Sequence, residues 1–513
     1  MNKNLKRVLS LSMAAATLLS CAACGSKGSD GKTNNGSAEK TELNIRIPDS
    51  FSTVDPHNWS LDSDFRLCYQ IYEPLYRVDD DTNEIPVLAT SYTVSDDGLA
   101  YTFQLRDDAV FTNGEKMTAD DVKFSIDRAR ASAYVPGDYV TTVSSVDADN
   151  EANTVTVNLS KPTPSLIEGL SYVLIANKKF VEENQDENGM LGFNACGTGP
   201  YMLKDHVQDV SVTMEANPDY RDGEPAIKTL NFKLVTDENT ALTAFQAGEL
   251  DISRFNTANW DVLKDNDAYK TEELTANHVS YLVINVNQPP FDNVLVRQAI
   301  ACALNKDDII TMSIDGLATP ADTLVTPMMV GYGEITPAYT YDVDRAKELL
   351  AEAGYPDGLD IGEIQALSGT YFEDMALVAQ QELAEVGITC TVSGLEANTL
   401  ISNCMTGSFG MATMGQTNSY DMSWLSTYYA SENIGSLNMS MYSNPDVDAK
   451  LAEANTCMDP EKRIALYQDI LTTVDTDCPY IPLFNKTLCM AWSSDLSYTP
   501  TVRMESYANC SWN

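Results

Sequence analysis

Histidine is almost missing from this chain. Its 513 residues include three, His57, His206 and His278, far apart and none in an HExxH or other helical metal spacing. A histidine-built metal centre is therefore not expected, and each is read as a solvated or structural imidazole. Positive charge is scarce too: 33 Lys and Arg stand against 74 Asp and Glu, a formal net charge of −41. A field of that sign repels phosphate backbones and anionic headgroups, which argues against nucleic acid as a partner. There is no Gly-x-Ser-x-Gly nucleophile elbow and no zinc helix, and no pair of the abundant carboxylates is singled out locally, so an enzyme is not expected. No cofactor is implied. After residue 20 no apolar run reaches the ~20 residues that cross a bilayer. Of the 11 cysteines only Cys21 and Cys24 are close in sequence; the other nine are scattered, and an odd number leaves at least one free or paired outside the chain.

What is present begins at the N-terminus. Asn2 to Arg7 is basic and Val8 to Leu19 apolar, which together read as a signal peptide of residues 1–20. Leu18-Leu19-Ser20-Cys21 looks like a bacterial lipobox, in which the cysteine thiol receives a lipid after cleavage. Cys21 fits this pattern best and Cys24 is the alternative. A redox pair needs a packed helix start, and a metal site needs a second pair nearby; the flank offers neither. Residues 21–40, rich in Gly, Ser and Asn, read as a flexible tether. The expected location is the extracellular face of the cell membrane, held by lipid.

The body has 43% hydrophobic and 21% charged residues, an ordinary globular balance with room for two to four domains. Leu43–Ile47, Tyr101–Leu105, Thr154–Leu159, Leu230–Leu234 and Tyr281–Val286 read as strands, most of them alternating apolar and polar residues. Phe65–Tyr72 reads as helix. Thr118 caps a helix with Asp120 and Asp121 in its first turn and Val122, Ile126 and Ala129 as its apolar stripe. Helices are also expected over Thr240–Ala247, closed by Gly248; over Asn293–Leu304, capped by Asp292; and over Asp342–Ala353, closed by Gly354. Asn444-Pro445 and Asp459-Pro460 are helix starts. Strands and long helices in irregular order predict an α/β protein with several lobes.

Several stretches together resemble the family 5 extracellular solute-binding proteins, the oligopeptide, dipeptide and nickel receptors of ABC importers. They are Tyr72–Ala129 (YEPLYRVDDD…FSIDRA), GTGPYML at Gly197–Leu203, NPDYRDGEP at Asn217–Pro225, AFQAGELDI at Ala244–Ile252 and NQPPFDNVLVRQAIACALNKDDI at Asn287–Ile309. DRAKELLAEAGYPDG at Asp344–Gly358 and YSNPDVDAKLAEA at Tyr442–Ala454 complete the set. The resemblance implies a type II periplasmic-binding-protein-like α/β fold, two lobes with a hinge and a subdomain inserted in the first. Lobe one would combine 41–62, 195–285 and 480–513, the inserted subdomain 63–194, and lobe two 286–479. It also implies a monomeric binding lipoprotein that captures a peptide or peptide-like solute between closing lobes and hands it to ABC permease subunits with a cytoplasmic ATPase. A surface peptide or pheromone sensor, or a binder of an oligosaccharide or a metal chelate, are the alternatives.

In peptide receptors of this family a Gly-Trp-x-x-Asp-Tyr segment lines the cleft, and its Asp binds the peptide amine. The corresponding stretch is GQTNSYDMSW, Gly415 to Trp424. Gln416 takes the tryptophan position and Ser419 the amine-binding one. A buried ammonium needs an opposite charge, which serine lacks. The uncharged set Gln416, Thr417, Asn418 and Ser419 instead suits amides or hydroxyls. Leu367–Asp374 approximates a region where some members place basic groups for a ligand carboxylate, and it contains no Arg, Lys or His. The ligand-binding candidates are Ser50, Phe51 and Ser52 after the first strand; Trp59, Tyr134 and Tyr371; Gln416 to Ser419; and Tyr420, Asp421 and Trp424. Aromatic residues at a cleft supply apolar area with a polar handle.

Overall fold

Period-two stretches become strands because burial on one face rewards alternation. Glu42–Ile47, Ala100–Leu105, Thr154–Leu159 and Thr229–Leu234 all form. The structure, a computed structural model, describes residues 40–513 apart from 333 and 334. The expected signal peptide, Cys21, Cys24 and the tether as far as residue 39 lie outside the described residues.

Helix starts follow their caps. Thr118 and Asp121 close a reciprocal capping box at the head of Ala119–Ala131, and Val122, Ile126 and Ala129 are fully buried. Burying a Val or Ile side chain contributes roughly 1.5–3 kcal/mol. Asp237, Asp342, Asn444 and Asp459 cap their helices through side-chain oxygens. One cap is corrected: Asn293, not Asp292, accepts from the Leu295 amide. The Asp292 amide is already held in the preceding turn by the Gln288 carbonyl.

The main sheet has eleven strands. From one edge the order is Ile388–Leu395, Leu359–Leu367, Met411–Thr417, Tyr269–Ile284, Tyr480–Ser493, Ile252–Phe255, Glu42–Ile47, Thr229–Leu234, Ser211–Ala216 and Tyr201–Val207, with Ala318–Pro320 paired onto Tyr480–Ser493. Two of these strands are long, 16 and 14 residues, and run antiparallel to each other through the middle of the sheet. The first extends well beyond the expected strand 281–286, because residues 269–276 are exposed or half-exposed and carry no clean period-two pattern. The pairing of the two long strands slips between Thr275 and Val279, opposite Thr487 and Asn485. Such a bulge bends and twists the ladder locally.

Each side of that slip has its own core. Leu43, Ile45, Leu230, Phe232 and Ile252 belong to one cluster. On the other side, Leu282 and Ile284 face a cluster with Ile364 and Met375, while Val279, Tyr281 and Val283 face another with Tyr428 and Tyr480. Alternate residues of one strand serve opposite faces. A separate sheet, in the order Ala89–Val94, Ala100–Leu105, Thr154–Leu159, Val143–Asp149, packs with the Ala119–Ala131 helix around Phe103, Val122 and Val155. All nine described cysteines are free thiols. Among the described residues no helix is long and apolar enough to cross a membrane.

Candidate functional site

Register brings two sets of strand ends to one place. Met411–Thr417 pairs with the long strand so that Met411 lies opposite Ile284 and Thr417 opposite His278. Its C-terminal end, and that of its parallel neighbour Leu359–Leu367, therefore point at the slip. From the opposite side, Ile252–Phe255 pairs with Trp492–Cys489, and Glu42–Ile47 and Thr229–Leu234 run parallel to it. Their C-terminal ends point at the same place. In open α/β sheets ligands bind in the crevice beyond the carboxyl ends of parallel strands. Here two such edges face one crossing, formed by Ala276–His278 and Lys486.

The second-half edge of the crevice is built as follows. The Leu359–Leu367 strand ends in a turn, and Thr370 caps the helix that opens with Tyr371. The Tyr371 hydroxyl lies 3.3 Å from His278 Nε2, and Thr417 Oγ1 lies 3.3 Å from His278 Nδ1. Ser280 Oγ is 3.5 Å from Nε2. The Lys486 ammonium sits 4.9 Å from the centroid of the Tyr371 ring, a cation–π contact. His278 can lie there because position 415 is glycine: a Cβ at that position would come within 2.7 Å of Nε2. Burial, helped by the nearby Lys486 charge, lowers the His278 pKa to about 4, so the ring is neutral at pH 7. Burial also lowers that of Lys486 and pushes the Tyr371 hydroxyl up to about 12.

Beneath the edge, Asn277 fixes the segment 417–420. Its Nδ2 donates to the Asn418 carbonyl at 2.8 Å, its Oδ1 accepts from Thr326 Oγ1 at 2.7 Å, and its carbonyl accepts from the Asn418 amide. Tyr420 continues outward, and the Arg503 guanidinium lies 4.0 Å from its ring centroid. Arg503 pairs with Glu168 at 2.8 Å. Burial raises the Glu168 carboxyl to about 7 although Arg503 opposes the shift.

The first-half edge is the loop after Glu42–Ile47. Ser50 and Ser52 are exposed, and Ser52 is held through its amide and hydroxyl by Asp64. Trp59 packs against Phe65 at 4.9 Å, and its carbonyl accepts from Val135. This brings exposed Tyr134 alongside. Asp55 below is paired with Arg128; burial would raise its carboxyl, but the guanidinium holds it at about 2.

The expected candidates thus divide. Tyr371, Gln416, Thr417, Ser419 and Tyr420 gather on one edge, and Ser50, Ser52, Trp59 and Tyr134 belong to the other. Three side chains are committed elsewhere. Phe51 is buried against Phe193. Asn418 donates to the Leu324 carbonyl and accepts from the Tyr428 hydroxyl. Asp421 forms a buried two-point ion pair with Arg463. Trp424 is half-buried beside the Tyr281 and Tyr428 cluster. His57 is buried between Arg128 and the Leu174 carbonyl. The residues missed were His278, Ser280 and Lys486. They come from strands far apart in sequence, and no local motif marks them.

Residues 83–436 match the family described as bacterial extracellular solute-binding proteins, family 5, middle region, and the chain belongs to that family. The glutathione-binding protein GsiB of Salmonella paratyphi A is 29% identical over 474 residues, covering 88% of this chain and 90% of that protein. GsiB of Escherichia coli O1:K1 / APEC is 30% identical over 473 residues, covering 89% and 91%. Among solved structures, HbpA2 from Haemophilus parasuis has a TM-score of 0.83 at 24% identity, covering 92% of this chain and all of that one. DppA from Helicobacter pylori in complex with the peptide STSA has a TM-score of 0.72 at 26% identity, covering 92% and 98%. The type II binding-protein fold is thereby established, and the chain is the solute-binding component of an ABC transporter, a binding protein and not an enzyme.

Proposed function

We propose that the chain is a monomeric receptor lipoprotein, anchored through Cys21, that captures a peptide or peptide-like solute at the strand crossing and passes it to a membrane permease driven by a cytoplasmic ATPase. The bounds expected from the resemblance, 41–62 with 195–285 and 480–513 for one lobe, 286–479 for the other and 63–194 inserted in the first, shift at the long strands: 279–285 and 480–485 pack with the cores of the second lobe and are assigned to it. The lobes bend at Ala276–His278 and Lys486. Ligand contacts made to both lobes favour the closed state, and that differential is what drives closure.

The observation that carries this reading is the convergence of two sets of strand ends on a single crossing lined by Tyr371, His278, Thr417 and Lys486. The lining is polar, aromatic and short of carboxylates despite the acidity of the chain, which suits a solute with amide groups. The relatives add weight on the side of peptides: glutathione is itself a small peptide, and DppA holds STSA.

The test is native mass spectrometry of the protein purified gently from its own host. A retained peptide supports the reading. A retained sugar or metal chelate replaces it with one of the alternatives. Uptake of the identified solute in a strain lacking the gene separates import from sensing: unchanged uptake means the protein signals.

A further inference from the structure

Among the described residues Lys486 has no carboxylate partner. Several lysines of this chain pair with carboxylates, Lys123 with Asp127, Lys306 with Asp322 and Lys450 with Asp469, and others such as Lys233 and Lys270 donate to backbone carbonyls. Lys486 is half-buried at the middle of a long strand, paired on one side with Ala318 and facing the slip in the other long strand. Among the described residues it makes no ion pair, and its one contact of note is the Tyr371 ring at 4.9 Å. With 74 acidic residues available, the lack of a carboxylate here is a feature of the place. A desolvated ammonium without a counter-charge costs free energy that a bound anion restores.

The neighbours suit an anion as well. His278 is a neutral ring at this position, and the hydroxyls of Tyr371, Ser280 and Thr417 lie within 3.5 Å of its nitrogens. A carboxylate offers about four acceptor positions to such groups. One lysine matches one negative charge, which favours a carboxylate over a phosphate dianion. We propose that Lys486, with His278 and Tyr371, binds a carboxylate of the solute at the floor of the crevice, so that the receptor selects its ligand by the anionic end. This rests on the peptide reading above and deepens it by naming the group of the ligand that is recognised.

The experiment uses the purified full-length protein, a mixed tripeptide library as free acids, and the same library as C-terminal amides, with capture read by native mass spectrometry. The variants are Lys486→Met, which keeps the stem and removes the charge, Lys486→Arg, which keeps the charge, and Lys486→Gln as a second uncharged form should the methionine variant fail to fold. The expected result is capture of free acids by the wild type, a loss of about tenfold to a hundredfold in the uncharged variants, and a smaller loss with arginine. If amides are captured only when they contain Asp or Glu, and this capture also falls in Lys486→Met, the carboxylate is that of a side chain and the proposal stands. Capture of free acids by an uncharged variant within about twofold of wild type, or equal capture of amides without acidic side chains, overturns the assignment and leaves the peptide reading intact. Failure of the wild type to capture from either library overturns both.

Discussion

Gly415 and His278 share one volume, and the glycine yields it. An added methyl would meet His278 Nε2 at 2.7 Å and the Phe372 ring at 2.9 Å. Gly415→Ala must therefore displace one of them at a cost of about 1–3 kcal/mol, and displacement of His278 disturbs the Tyr371 and Thr417 contacts with it. The expected outcome is a lower melting temperature together with weaker ligand binding; an unchanged affinity would show that His278 does not face the solute. Asp475 offers a residue-scale test without ligand. It is largely buried, one of its carboxylate oxygens has no partner, and burial lifts its pKa from 3.8 to about 7. Below 3.8 the group is protonated in both folded and unfolded chains and costs nothing. Between there and about 7 the unfolded chain ionises while the folded one resists, so its contribution falls as pH rises. Asp475→Asn should thus stabilise the protein by on the order of 1–2 kcal/mol near pH 8, with the gain vanishing near pH 4. A pH-independent difference between the two proteins in thermal unfolding would refute this.

At the scale of elements, the parts that form locally were the parts legible in the sequence. Caps and apolar stripes act within a few residues, so Thr118, Asp342, Asn444 and Asp459 announce their helices. The long strand from Tyr269 did not announce itself, because its first half is held by ladder bonds to Tyr480–Ser493 and not by a buried face. The same long-range pairing explains why only half of the candidate crossing was legible. Tyr371 and Thr417 could be found from the cleft segments they follow, whereas His278 and Lys486 meet them only after the two long strands have paired. Asn277 is the test of that junction. It satisfies Thr326, Asn418 and itself in one buried cluster. Asn277→Ala strands a hydroxyl and a carbonyl, each costing about 1–3 kcal/mol when buried. Hydrogen exchange should quicken at residues 416–420 while the sheet of Ala100–Leu105 and Thr154–Leu159 stays protected. Uniform quickening across both regions would mean that Asn277 supports global stability and not the crevice edge.

Across the whole molecule, one guanidinium adds to the links between cores that the long strands and the packing of Tyr420 and Val330 already make. Arg503 and Glu168 expose 1% and 4% of their side chains, and Arg503 also reaches the Met328 carbonyl and the Tyr420 ring. Tyr420 packs on the cluster of Leu43 and Phe232, and Val330, two residues beyond Met328, packs on the cluster of Phe103 and Val122. One side chain therefore joins the C-terminal segment, the helix Leu166–Ser171 and two segments of the other half. Removing one partner of a buried pair leaves an uncompensated charge and costs about 3–5 kcal/mol. Arg503→Ala is expected to lose that amount, and because one link between cores goes with it, unfolding in calorimetry should be less cooperative than in the wild type. Adding Glu168→Gln removes the stranded carboxyl group and should recover part of the stability at alkaline pH, where that group would otherwise ionise, but cooperativity should stay reduced, since the contacts to Tyr420 and Met328 are still missing. Recovery of wild-type cooperativity in the double variant would mean that the Glu168 carboxyl, and not the link, governs it.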